Sequence, residues 1–495
     1  MHIGIDFGTS YTAAATFVDG ELTHVTFGDA KQFRTAVFFP EVVPDPAKRR
    51  AAEARAATVE NFQDALFGDE AVAAYLEYGD GNLIESPKSM LGFRMDPQVR
   101  KVIVHIATYV LEHIRLAAGR QLGEDVRTAV IGRPVHFRSS MGEKGSEQAV
   151  EIIREAAAVA GFESVSFLEE PAAAAMHYHK RLDTRQTALI VDIGGGTTDV
   201  AFAELGGGEL PRIVRTWGLA KGGTDLDVNL SMHAFMPHLG NNVTRVPVHH
   251  YVEAASVHNL PKQREFRRQD YRFLDEPWRS RLQALQQPGA TTRLNQTAER
   301  SKIALSSEER TEADLGFLET GLGVHIARAD MDEAVEPFIE RMQRLLAEVR
   351  EEWPSVPDSV FLTGGTSRSP VVKAAVRDSF PGIPMVEGDP SLGVVSGLAV
   401  AATELGALPA GSTCAVGAGH AGDPTAAGKP AASTDRRRSG SHIVYRQPCS
   451  CFCNRASFAS SGPRSLLNAF RIDRWFASDS SRSAAQASAG ESCRH

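Results

Sequence analysis

Residues 187–203 read Thr187-Ala188-Leu189-Ile190-Val191-Asp192-Ile193-Gly194-Gly195-Gly196-Thr197-Thr198-Asp199-Val200-Ala201-Phe202-Ala203. Residues 189–191 are a short apolar run of strand type, and 200–203 read as a second strand. Between them stand Asp192, three glycines, two threonines and Asp199, the composition of a tight hairpin turn. Consecutive glycines let the backbone turn its N–H groups inward with no Cβ in the way. Such a concave set of amides binds anions, phosphate oxygens above all. Asp192, at the end of the first strand, is then placed to reach a Mg²⁺ or its waters beside that phosphate. A plain hairpin would also use glycine, so this stretch alone leaves both readings open.

The N-terminus repeats the plan. Ile3-Gly4-Ile5-Asp6-Phe7-Gly8-Thr9-Ser10-Tyr11-Thr12-Ala13-Ala14-Ala15-Thr16-Phe17 is again an apolar strand ending in Asp, a Gly/Thr/Ser turn and a returning strand. Two copies point to a duplicated domain in which each half offers one phosphate-binding hairpin to a shared cleft.

With 495 residues the chain can build two or more domains with substantial cores. Its 42% apolar and 23% charged content is that of an ordinary globular protein. A formal net charge of -8 gives no general nucleic-acid signal. A strand begins within three residues of the start, with no basic and apolar leader pattern, and no uninterrupted apolar run reaches membrane-spanning length. These features predict a cytoplasmic protein without membrane or nucleic-acid partners. All five cysteines, Cys414, Cys449, Cys451, Cys453 and Cys493, lie beyond residue 410, which excludes thiol catalysis from the body.

Along the chain, 21–27 and 35–39 read as strands and 47–75 has helical composition. Lys88 follows in Ser86-Pro87-Lys88-Ser89-Met90-Leu91-Gly92; beside a turn, a lone lysine is more often solvated surface than catalytic. Residues 99–122 are an amphipathic helix and 128–131 a buried strand. A helix at 147–160 and a strand at 165–168 lead into Glu169-Glu170-Pro171. Pro171 suits a helix start, so Glu170 lies where a strand hands over to a helix, either as a cap or at a ligand crevice. Gly222-Gly223-Thr224-Asp225 makes a strand-to-helix turn and a further place for phosphate. Residues 241–295 read as an irregular helical insertion, with His249, His250 and His258 at its surface. Glu299, Lys302 and Ser306 fall on one helix face. Gly364-Gly365 and Arg368 follow a strand at 359–363, where a base could pass the backbone and stack on the guanidinium. After a strand at 384–386, a helix at 392–405 closes the pattern. The Ala/Ser/Gly/Arg-rich remainder, 407–495, reads as a disordered tail.

Taken together, these segments resemble the actin, sugar-kinase and heat-shock chaperone ATPase superfamily, and within it the DnaK-type chaperones. Five separated motifs carry the likeness in order: 4–12, 129–137 running through Glu170-Pro171, 191–200, 298–307 and 361–370. The likeness covers about 2–405 and is greatest to the short YegD-type branch, an ATPase region without a peptide-binding domain. It implies an α/β, actin-like ATPase fold: two duplicated ribonuclease-H-like lobes, 1–186 and 187–406, with a helical insertion at about 225–310 and a nucleotide cleft between them. It implies ATP/ADP and Mg²⁺ as ligands, with slow ATP hydrolysis. By the same resemblance, Gly8, Thr9, Ser10 and Tyr11 form the first phosphate hairpin and Gly194, Gly195, Gly196 and Thr197 the second. Gly222 and Gly223 cover phosphate. Asp6 and Asp192 hold Mg²⁺ through waters, Lys88, Glu170 and Asp192 are catalytic, and Glu299, Lys302, Ser306, Gly364, Gly365 and Arg368 bracket the adenosine. Two departures accompany it. Asp389-Pro390-Ser391 stands where the family has Asn-Pro and an acidic residue, and Arg138 is not at the family's usual distance from Pro134. Protein clients or co-chaperones stay unnamed. The rival expectations are a small-molecule kinase of the same superfamily and a filament-forming actin-like scaffold.

Overall fold

The computed structural model of the chain describes residues 1–40, 65–79, 81–208, 211–353 and 355–407. The tail with its cysteines, and 41–64 of the helical-composition stretch, lie outside these residues. What is described of that stretch is the strand Leu66–Phe67 and the helix Gly68–Tyr78.

Two sheets carry the fold. The first runs Glu21–His24, Tyr11–Val18, His2–Phe7, Thr128–Arg133, Ser164–Glu169. Its first two pairings are antiparallel and its last two parallel. The second runs Arg212–Leu219, Thr198–Leu205, Gln186–Ile193, Ser359–Thr363, Met385–Glu387, with the same directions in the same places. Each sheet is therefore used by the chain in one order: first strand central, its hairpin on one side, two parallel strands on the other. Parallel neighbours need a crossover. Helix Glu143–Val159 supplies it in the first lobe and Pro370–Ser379 in the second. This is the duplication that the two hairpin motifs imply, in the actin-like architecture that the resemblance implies.

Additions to the two lobes wall the cleft. In the first lobe, Ala36–Pro40 pairs with Leu66–Phe67 and Gly81–Glu85, and Phe38 packs with Ala71, Val72 and Tyr75 of helix Gly68–Tyr78. A further short strand, Gln32–Arg34, pairs with Tyr11–Val18. In the second lobe, the insertion folds as helices Val248–Ala255, Leu260–Arg268, Trp278–Leu285 and Ala290–Leu305 around buried Tyr251, Phe266, Leu282 and Leu294. Helix Pro97–Leu122 starts on Asp96, which accepts from the N–H groups of Gln98 and Val99 at 2.9 and 3.0 Å. Among the described residues it alone is long and apolar enough to cross a membrane. Its apolar stripe, Val99, Ile103, Ile106, Val110 and Ile114, is buried in the first lobe, as in a core helix.

The closing helix, Gly393–Ala407, does not complete the second lobe as expected. It runs along the first lobe's central strands and helix Glu170–His179. Val395 and Ala399 pack on Ala13 and Ala15. Leu398 and Ala402 share a core with Ala173 and with Ile190, Ala201 and Phe361 of the second sheet. Two glycines permit this approach. A Cβ on Gly4 would lie 2.3 Å from Ala399 N, and one on Gly397 would lie 1.7 Å from Ala173 O. The two helices thus form a layer between the sheets. The closing helix is almost wholly apolar, so its sequence has no polar face to tell which lobe it joins.

Candidate functional site

Between the lobes opens a cleft of about 800 Å³. Both hairpins reach it, and they interlock. A Cβ on Gly195 would lie 2.1 Å from Ser10 Oγ, and one on Gly196 would lie 2.3 Å from Thr9 Oγ1. A side chain there would displace those hydroxyls, so the three-glycine turn answers to the opposing hairpin as well as to its own backbone. The Gly194 N–H closes the turn on Thr197 O at 3.0 Å. Beneath it docks the start of helix Gly223–Leu230: the N–H groups of Gly223 and Thr224 donate to the carbonyls of Gly194 and Gly195 at 2.9 and 2.8 Å. From the far side, Thr366 Oγ1 donates to Gly194 O at 2.9 Å.

The floor of the cleft is a knot of buried charge. Lys88 is 6% exposed, Glu170 8%, Asp192 5% and Asp199 1%. Lys88 arrives on the short turn Pro87–Met90, after Ser86 adopts a left-handed φ of 52°, and is not the solvated residue its local sequence allows. Glu170 opens helix Glu170–His179 directly after strand Ser164–Glu169, and accepts from Lys88 Nζ at 2.5 Å. Asp192 and Asp199 face each other across the hairpin register, and Asp199 Oδ1 accepts from the Val135 N–H at 2.7 Å. Burial first, and the Glu170 charge second, push Asp6 up to about 7 and Asp199 up to about 8, and raise Asp192 in the same way. For Lys88, burial works against the charge, but Glu170 and Asp6 overcome it and hold the ammonium above its ordinary pKa. Four acids are more than one ammonium can offset, so burial keeps some of them protonated until a further cation arrives, and a divalent cation fits that place. Among the described residues no three His, Cys, Asp or Glu side chains converge to grip a metal directly. A cation here would be held by Asp6 and Asp192 through waters and by the ligand's own oxygens.

At the other end of the cleft, helix Ala290–Leu305 presents Glu299, Lys302 and Ile303, with Ser306 just past its end. Glu299 accepts from Arg34 at 2.8 Å; Lys302 pairs with Asp227 at 2.7 Å. Ile303, 59% exposed, offers apolar surface for a planar group. Opposite, Gly364 has φ 85°, and a Cβ there would lie 2.4 Å from Ile193 O. Gly365 and Arg368 continue that wall, and Pro390 and Ser391 end it. Asp389 turns away, its Oδ1 accepting from the N–H groups of Ser391 and Leu392 at 2.8 and 2.9 Å.

The structure therefore gathers Asp6, Gly8, Thr9, Ser10, Tyr11, Lys88, Glu170, Asp192, Gly194, Gly195, Gly196, Thr197, Gly223, Glu299, Lys302, Ser306, Gly364, Gly365 and Arg368 around one cleft. Gly222 does not line it. A Cβ on Gly222 would lie 2.6 Å from Gly194 O, so this residue lets the helix start press against the back of the second hairpin. His258, expected at the surface, is turned toward a small cavity between the lobes. Sequence reasoning assigned no role to Asp199, although it stands in the opening stretch paired with Asp192. It also missed Arg34, Asp227, Thr366 and Arg138. Arg138 Nε donates to Gly196 O at 2.8 Å and Nη2 to Thr224 Oγ1 at 3.2 Å, with Asp225 as its ion partner. These four make contacts across the cleft or between elements, and no local pattern marks them.

A family model described as Hsp70 protein matches residues 2–242 and 272–407. The chain belongs to the Hsp70 family. Among similar Hsp70 relatives, the chaperone protein DnaK of Methanothermobacter thermautotrophicus is 26% identical over 419 residues, 80% of this chain and 59% of that one. The chaperone protein DnaK of Cenarchaeum symbiosum is 27% identical over 425 residues, 81% of this chain and 54% of its own. That of Elusimicrobium minutum is 27% identical over 396 residues, 76% and 53% respectively. This Hsp70-family chain thus spans little more than half the length of the curated relatives it matches. The family match skips residues 243–271, within the helical insertion.

Proposed function

We propose that this member of the Hsp70 family binds ATP and ADP with Mg²⁺ between its lobes and hydrolyses ATP slowly, as the nucleotide-driven part of a chaperone-like protein. The observation that carries the reading is the meeting of two glycine hairpins, one from each sheet, over buried Lys88, Glu170, Asp192 and Asp199 and half-buried Asp6. The hairpin amides at Gly8, Thr9, Ser10 and at Gly194, Gly195, Gly196 cradle phosphate oxygens. Bound Mg²⁺ would neutralise phosphate charge, with Asp6 and Asp192 holding its waters. Lys88 adds fixed positive charge where the transferred phosphoryl group gathers negative charge. Glu170 orients the attacking water, and its ion pair with Lys88 fixes both side chains in place. Glu299, Lys302 and Ser306 on one side and Gly364, Gly365 and Arg368 on the other hold the adenosine. No covalent intermediate is required, since water is the nucleophile.

Calorimetric titration of ATP and ADP, with Mg²⁺ and with a chelator, tests the binding. Single-turnover release of phosphate tests the chemistry. The expected result is tight, Mg²⁺-dependent binding followed by slow conversion of bound ATP to ADP. Absence of heat at millimolar Mg·ATP, with the protein folded, would overturn the reading.

A further inference from the structure

The segment 243–271, which the family match skips, is built firmly into the fold. Its helices Val248–Ala255 and Leu260–Arg268 bury Tyr251 and Phe266 completely. Gln263 ties the two together, its Nε2 donating to the carbonyls of Glu253 and Ala254 at 2.7 and 3.1 Å. Asn259 Oδ1 caps the second helix, accepting from the Lys262 N–H at 3.1 Å. The turn between the helices thus has a fixed place. It presents Val257 and His258 to a cavity of about 20 Å³ lying between the lobes, room for a single water.

The remaining walls come from both sides. Arg34 and Glu85 belong to the first lobe; Asp227 and Glu299 belong to the second. The Arg34–Glu299 ion pair crosses from lobe to lobe here, with side chains 16% and 13% exposed. Arg34 also donates to Tyr11 Oη at 3.1 Å and lies over the Tyr11 ring at 5.2 Å. Two weaker crossings flank the pair. Thr292 Oγ1 donates to Glu85 Oε2 at 3.4 Å, and Arg267, from the second helix of the segment, donates to Tyr75 Oη at 3.5 Å. An ion pair open to solvent contributes little and is screened by salt; excluding water strengthens it. Val257 and His258 stand where solvent would otherwise reach the cavity. Burial, aided by Arg138, pushes His258 down to about 4, so it adds no cation to compete for Glu299.

We propose that 243–271 is a built-in cover over the Arg34–Glu299 pair, which holds the lobes together and slows release of the nucleotide. The proposal rests on the cleft being the nucleotide site. His258→Ala removes the cover and Arg267→Ala, at an exposed position, removes the outer crossing without touching the core. In the full chain, release of a fluorescent ADP into excess unlabelled ADP is followed at rising NaCl. Each variant should release it on the order of three to ten times faster than the parent, with His258→Ala also steepening the salt dependence. A second measurement needs no nucleotide: amide exchange in the first-lobe strand Gly81–Glu85 and helix Gly68–Tyr78 should rise in both variants. Damage confined to the insertion would leave those first-lobe amides unchanged. Release within about twofold of the parent together with unchanged first-lobe exchange overturns the cover. Should His258→Ala fail to fold, Arg267→Ala decides. If the parent binds no fluorescent ADP, the reading of the cleft fails, and the exchange measurement still decides whether the segment holds the lobes together.

Discussion

Lys88 keeps its charge because four acids surround it, and that arrangement sets what its removal does. Lys88→Met leaves Glu170, Asp6, Asp192 and Asp199 facing one another with no protein cation, a loss on the order of 3–5 kcal/mol in the nucleotide-free protein. Glu170→Gln keeps the shape and removes the carboxylate. Both variants should lower single-turnover hydrolysis by on the order of 10²-fold or more while still binding Mg·ATP, because each acts on the reacting phosphate rather than the adenosine. Parent-like turnover in both would remove them from the chemistry. Glu85 gives a pH signature. Burial pushes it up to about 7 from 4.5, with Arg34 opposing and Glu299 adding. A carboxyl that holds its proton to higher pH when folded binds more protons in the native state. Stability therefore falls as pH rises from about 4.5 to about 7. Glu85→Gln should flatten this part of the melting profile and gain about 1–3 kcal/mol over the parent above pH ~7. An unchanged pH slope would refute that account of Glu85. The residues around the cleft also differ in how legible they were. Asp192 and the glycines around it announce themselves within a dozen residues. Arg34, Glu85 and His258 acquire their roles only when the lobes bring together positions more than 150 residues apart.

Among the elements, the hairpins were readable because strand, acid and glycine turn recur twice in the same order, and a repeat is a long-range signal written locally. The closing helix was readable as a helix but not in its partner. Apolar residues lie nearly all round it, and such a pattern says only that the element is buried. Gly397 is where its packing is decided. Gly397→Ala puts a Cβ about on top of Ala173 O, at 1.7 Å, and backbone on one of the two helices must give way. A loss of about 1–3 kcal/mol or more is expected in urea unfolding. Gly365→Ala is the control, since nothing lies within 4 Å of a Cβ there. Equal stability of the two variants would mean that the helices are not in this contact in solution. Strand ends shifted by a few residues from their expected places, as at Glu21–His24 and Ala36–Pro40, because pairing partners rather than propensity end a strand.

At the scale of the whole molecule, the layer formed by Gly393–Ala407 and Glu170–His179 contacts both sheets, so the lobes share one core layer beside the core that the second lobe keeps to itself. The lobes are therefore expected to unfold together, and a ligand gripped by both hairpins should stabilise them together. Mg·ADP at about a hundredfold above its dissociation constant should add roughly 2.7 kcal/mol. The tryptophans give a way to see whether that gain is shared. Trp217, Trp278 and Trp353 all stand in the second lobe, so in a Trp475→Phe background fluorescence reports that lobe, while far-UV circular dichroism reports the helices and strands of both. The two melting curves should coincide without nucleotide, and should move upward by the same amount with Mg·ADP. Fluorescence that shifts while the dichroism splits into two steps would mean that nucleotide stabilises one lobe alone. That result would remove the interlocked hairpins, Ser10 against Gly195 and Thr9 against Gly196, as a joint phosphate site, even if ADP binds.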